Sequence, residues 1–105
     1  MSAKATTPLL DAAIHAPVRL QIMAALAVLA EHSPGYDFAD LRRLTGATDG
    51  NLGAHLTTLE AAEYVAITKA FANKRPRTTA KATTAGRKAY AAHVAALRAI
   101  IGGGS

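Results

Sequence analysis

The sequence predicts an α+β fold, mainly α, running helix, helix, turn, helix, β-hairpin, helix. Three observations carry that prediction. Apolar residues recur at helical spacing in four segments, and Gly46 and Thr48 stand between two of these as a helix stop and a helix start. Between Tyr64 and Thr83 the apolar period shortens from about 3.6 to about 2. With 105 residues the chain is long enough for one small domain.

Each element follows from its residues. Residues 1–7, "MSAKATT", are polar and expected to be loose, and 102–105, "GGGS", read as a flexible tail, leaving 8–101 as the domain. Pro8 to His15 reads as a short opening turn. Pro17 suits the first position of a helix over "PVRLQIMAALAVLAE". Val18, Ile22, Leu26 and Leu29 form one stripe there, and Leu20, Met23 and Ala27 a second. A helix apolar around most of its girth needs cover on two sides, and in a small domain a partner subunit can supply one. "HSPG" breaks this helix. In "YDFADLRRLTG", Phe38 is a buried anchor, Leu41 and Leu44 repeat at i, i+3, and Gly46 takes the left-handed C-cap. Thr48 N-caps the next helix, where Leu52, Leu56 and Leu59 fall at i, i+4, i+7. A short helix, a tight turn with Gly and a longer helix make helix-turn-helix grammar.

After Tyr64, "YVAITKAF" sets Val65, Ile67, Lys69 and Phe71 on one face of a strand. "ANKRP", with Asn73 and Pro76, is the turn, and "RTTAKAT" returns as a second strand. Thr84 is expected to cap the last helix, on which Tyr90, Val94, Leu97 and Ile101 fall at i, i+4, i+7, i+11. This is coiled-coil spacing, and the seam either packs on its own domain or pairs with a second copy.

Composition narrows the function. Half the residues are apolar, but alanine dominates and the aromatics are three Tyr and two Phe, so the core is thin and self-association is one remedy. The absence of cysteine excludes disulfides and thiolate metal sites and suits a reducing cytoplasm. No signal peptide and no membrane span are expected. The formal charge of +5 is unevenly spread. All seven acids lie at or before Glu63, while Lys69, Lys74, Arg75, Arg77, Lys81, Arg87, Lys88 and Arg98 follow with no acid among them. That division points to a polyanionic partner. Catalysis finds no support: there is no G-x-S-x-G, no P-loop and no Cys nucleophile.

The segments "HAPVRLQIMAAL", "DFADLRRLTGATDGNLGAHLTTLEAAEYV" and "KRPRTTAKATTAGRKAY" together resemble the small winged helix-turn-helix transcriptional regulators near the MarR and ArsR families, in their compact single-domain group. The resemblance spans roughly residues 9–101. It implies a homodimer bound to double-stranded DNA, with the helix from Thr48 in the major groove and the hairpin, the wing, on the backbone or minor groove. It matches Thr48, Asp49, Gly50, Asn51, Gly53, Ala54, His55 and Thr58 to the recognition segment, and Lys74, Arg75, Arg77 and Thr78 to the wing. Three departures stand out. Glu63 replaces the usual Gly before the first wing strand, Ala80 and Ala82 replace larger wing residues, and Gly53 and Ala54 replace polar or basic ones.

The residues themselves say how DNA would be met. With the leucines inward, Gly50, Ala54, Thr57, Thr58 and Ala61 face outward. Small residues admit close approach to phosphates, and the helix N-terminus supplies partial positive charge and N–H donors. Asn51 can read adenine and a Thr methyl can meet thymine, whereas Asp49 favours the helix dipole. His55 reads as a packing or phosphate-contacting residue, since no second His stands at i+3 or i+4 and no metal or other cofactor is expected. Lys69, Lys74, Arg75, Arg77 and Lys81 on the hairpin, with Arg42 and Arg43 before it, suit phosphate contacts. Arg19 and Arg87 suit structural ion pairs. The expected dimer interface draws on Leu20, Met23, Tyr90, Val94, Leu97 and Ile101, and a pocket for an unidentified small-molecule effector is possible between the first and last helices. A winged-helix protein–protein module and a non-specific architectural DNA binder are the alternatives.

Overall fold

Leu52, Leu56 and Leu59 turn one face of a helix entirely inward, and the rest of the domain is arranged around that face. The computed structural model describes residues 10–102, so the expected loose start at 1–7, Pro8 and the end of the tail lie outside the described residues. The elements are α1 (Pro17–Ala27), β1 (Tyr36–Asp37), α2 (Phe38–Thr45), α3 (Asp49–Ala61), β2 (Val65–Ala72), β3 (Arg75–Ala82) and α4 (Thr84–Ile101). The strands form an antiparallel sheet in the order β1-β3-β2. The core joins Ile14, Ile22, Met23, Leu26, Leu41 and the three α3 leucines to Val65, Ala80 and Ala82 of the sheet.

α2 and α3 form as the sequence indicates. Gly46 closes α2 at φ 72°, and the Thr48 hydroxyl accepts from the Asn51 N–H at 3.2 Å to open α3. At the start of α2, Asp37 and Asp40 make a reciprocal capping box, which was not among the sequence-based expectations. Leu44 does not join Leu41 in the core but is 52% exposed, because an eight-residue helix packed on one side turns only a narrow stripe inward. α3 ends in a Schellman motif: Glu63 N–H donates to Glu60 O at 2.9 Å and Tyr64 N–H to Leu59 O at 3.0 Å. That motif needs a left-handed residue, and Glu63 takes it at φ 67°.

Other boundaries moved. α1 was expected to reach Glu31 but ends at Ala27, with Val28 79% exposed. In a longer helix the Ala27 carbonyl would accept from the Glu31 N–H; instead Arg87 Nη1 donates to it at 2.8 Å. Lys81 Nζ likewise donates to the Glu31 carbonyl at 2.8 Å. Two basic side chains from the far end of the chain thus satisfy the backbone that leaves α1. β1 was not expected at all. It consists of two residues, Tyr36 opposite Ala80 and Asp37 opposite Thr79, too short to carry a period.

In the hairpin, Ala72 pairs with Arg75 across a two-residue turn at Asn73 and Lys74, whose φ values are 52° and 64°. Positive φ at both central residues marks the tight turn that matches strand twist. Pro76 is therefore a strand residue opposite Phe71 and not part of the turn. α4 is capped by Thr83, one residue before the expected Thr84, with the Gly86 N–H bonded to its hydroxyl at 2.9 Å. A Cβ on Gly86 would lie 2.0 Å from the Tyr64 carbonyl oxygen, so glycine lets α4 start directly against the α3–β2 joint.

Candidate nucleic-acid interface

α3 presents mostly small, neutral residues on its outer surface and no Lys or Arg, with the exposed acids Asp49 and Glu60 near its two ends. Gly50, Asn51, Ala54, Thr57 and Thr58 are exposed, while Gly53 and His55 are half-buried. A Cβ added at Gly50 or Gly53 meets nothing within 4 Å, so no packing inside the domain requires a glycine at either position. Thr57 and Thr58 donate their hydroxyls back to Gly53 O and Ala54 O, at 3.0 and 3.2 Å, and keep lone pairs for an outside donor. Thr48 is occupied as the cap. Asn51, on the first turn, is exposed and its carboxamide makes no hydrogen bond among the described residues. His55 is held from behind by Arg19, whose Nη1 lies 3.1 Å from Nδ1. Arg19 is structural but not in the expected ion pair: it also donates to Ala13 O at 2.6 Å and to Ala12 O at 3.4 Å, and it pairs with no acid among the described residues.

The cations fall into two groups. Arg42 pairs with Asp49 at 2.9 Å and ties α2 to the first turn of α3, Arg43 pairs with Asp40, and Arg77 lies 3.4 Å from Asp37. The Asp40 backbone N–H is the main reason that the Asp37 carboxyl is held below the usual carboxylate range. The Asp40 side chain and the charges of Arg77 and Arg43 act in the same direction, and burial opposes them. Lys81 is turned away to the Glu31 carbonyl and off the projecting end of the hairpin. Lys69, Lys74 and Arg75 are exposed, with no ion pair or side-chain hydrogen bond among the described residues. The uneven charge of the sequence therefore resolves into uncommitted cations on the hairpin, two more on the exposed side of α4, Lys88 and Arg98, and several that hold the domain together.

A cleft of about 570 Å³ separates α3 from the hairpin, lined by Phe38, Gly53, Thr57, Glu60, Lys69 and Thr78 among others. Lys69 and Thr78 are cross-strand partners, so this wall of the hairpin and the small-residue side of α3 face one space. The pocket expected from the sequence lay elsewhere, between the first and last helices.

Residues expected at a dimer interface divide. Met23 is fully buried inside its own chain and is not available to a partner, which corrects that expectation. α4 turns Gly86, His93 and Ala96 inward, so Tyr90, Val94 and Leu97 are only half-buried and Ile101 is 80% exposed. Leu20 is also half-buried. His93, read from the sequence as one of several scattered histidines, accepts at Nδ1 from the Asp11 N–H at 3.0 Å and anchors the segment before α1. Tyr64 OH donates to the Asp11 carboxylate at 2.6 Å from the other side. No group of three or more His, Cys, Asp or Glu among the described residues is placed to hold a metal ion. No helix among them is long and apolar enough to cross a membrane.

Comparison with known proteins agrees with this geometry. The family model described as a winged helix DNA-binding domain matches residues 18–101. The solved structure of a transcriptional regulator homologue from Pyrococcus horikoshii OT3 is similar to the chain, with a TM-score of 0.75 and 31% sequence identity over 87% of this chain and 86% of that one. No curated protein sequence matches the chain significantly.

Proposed function

Because the chain belongs to the winged helix DNA-binding domain family, we propose that it is a homodimeric transcriptional regulator. α3 enters the major groove, and the hairpin lies on the backbone or minor groove beside it. One observation carries this reading: α3 bears glycines that its own fold does not need, beside a hairpin with exposed, uncommitted cations. Glycine inside a helix costs about 1 kcal/mol relative to alanine, and close approach of the helix backbone to phosphate gives that position a use. Asn51 and the Thr58 lone pairs are the groups available for base edges, and Lys69, Lys74 and Arg75 supply counterion release. The similarity to a transcriptional regulator homologue supports the regulatory role.

The dimer reading rests on α4. Ile101 and Ile100 are 80% and 49% exposed, and they continue the half-buried seam of Val94 and Leu97. Two copies paired along this helix would present two α3 helices to one duplex, spaced about 34 Å apart. In-vitro selection from a random DNA pool is the direct test, with an enriched palindrome expected. The outer face of α3, which carries no Lys or Arg, favours one second reading, a non-specific architectural binder. In that case, binding would weaken with salt and no sequence would be enriched.

A further inference from the structure

We propose that the tip of the hairpin is an apolar wedge that enters the minor groove and unstacks a base step, through Phe71 supported by Pro76. The inference rests on the DNA-binding reading above and goes beyond it. Phe71 is 78% exposed, the most exposed of the chain's aromatic side chains among the described residues. Pro76 lies directly opposite it and is also exposed, so the two form a cross-strand apolar pair. They stand on the same face as Lys69 and Thr78, which turn toward α3, so the pair continues the DNA-facing wall outward.

A hairpin built only to hold phosphates needs donors at its tip. Phe71 offers phosphate nothing, and Pro76 lacks even a backbone N–H. Both are residue types that proteins insert between base steps from the minor groove. Their surroundings fit that target: Lys69, Lys74 and Arg75 are exposed around them, so the wedge would be carried to a polyanion. The tip is also stiff, because the tight turn at Asn73 and Lys74 and the fixed ring of Pro76 leave little to reorder on insertion.

The test uses the full chain and a duplex of about 30 base pairs containing several TA steps, which unstack easily. It carries 2-aminopurine at those steps and a fluorescence-transfer pair at its ends. Wild-type protein is expected to raise 2-aminopurine emission and shorten the end-to-end distance. Phe71→Ala should lose both signals and about tenfold in affinity, while the slope of log affinity against log salt stays unchanged. Phe71→Leu should keep both signals. Lys74→Ala should do the reverse of Phe71→Ala, lowering the salt slope by about 1 while the emission change persists. Wild-type binding without emission change or bending overturns the wedge alone. So does a Phe71→Ala protein that still bends and unstacks the duplex. Failure of the wild type to bind any duplex overturns both the wedge and the DNA-binding reading beneath it.

Discussion

At the scale of single residues, two positions carry costs that can be measured. Glu63 holds a left-handed backbone because the Schellman end of α3 and the turn into β2 both require it. A non-glycine residue there costs about 1 kcal/mol. Glu63→Gly is expected to raise the thermal midpoint by roughly 5 °C in a domain of this size, read by circular dichroism. This cost was visible in the sequence, since Glu stands where the resembled family has Gly. His93 was not. Burial, reinforced by the nearby His15 ring and opposed by Asp11, pushes its pKa below the usual imidazole value. The unfolded chain therefore binds a proton at a pH where the folded chain does not. The stabilisation is complete above about pH 6.5, the ordinary value, and is lost as pH falls through the folded-state value beneath it. Protonation also takes the Nδ1 lone pair from the Asp11 N–H. Melting followed from pH 7 down to about pH 5 should show the midpoint falling, and His93→Gln, which keeps an acceptor, should flatten that fall.

At the scale of elements, α3 was the most legible part, the hairpin was legible except for its turn, and β1 was not legible. The spacing of Leu52, Leu56 and Leu59, with Thr48 as the N-cap, specifies α3 from a few adjacent turns of chain. Its glycines make a two-sided prediction. Gly53→Ala adds a methyl to open space and should stabilise the helix by about 1 kcal/mol. If the helix backbone approaches DNA closely, the same methyl should weaken duplex binding, measured by fluorescence anisotropy. A variant that is more stable and binds unchanged would remove close approach from the mechanism. In the hairpin, the alternating pattern was clear but the turn was drawn too wide, since both Asn73 and Pro76 read as turn residues. Only the pairing of Ala72 with Arg75 shows that the chain reverses in two residues. β1 was invisible for a simple reason: a two-residue strand has no period to read.

At the scale of the whole molecule, charge and assembly are the testable properties. If all eight cations after Tyr64 met phosphates, log affinity would fall with log salt at a slope of about −7 per protomer. Lys81 and Arg87 instead hold the backbone around the end of α1, and Arg77 is paired with Asp37. Of the five that remain, Lys88 and Arg98 lie on α4 and Lys69, Lys74 and Arg75 on the hairpin; with the hairpin set alone on phosphate, a slope of about −3 per protomer is expected from a salt series with random duplex. In the proposed dimer, assembly would run through the outer end of α4. Ile101→Asp, at an 80% exposed position, should leave the fold intact and shift the species seen by sedimentation from dimer to monomer. Unchanged sedimentation of this variant would move the interface elsewhere.

The sequence by itself determined the order of the helices and the hairpin, the inward leucine face of α3, the glycine at the end of α2 and the concentration of positive charge beyond residue 63. All of these depend on neighbours within a few turns of chain, where period, capping chemistry and composition act directly. Only the tertiary structure decided which cations are spent on the domain itself, which histidine is buried, and that α4 turns its small residues inward and leaves its larger seam half-bare. Those outcomes join residues far apart in sequence, such as Lys81 with the Glu31 carbonyl and Asp11 with His93. A long flexible side chain can reach any acceptor the fold brings near, and the identity of that acceptor is not written in its own surroundings.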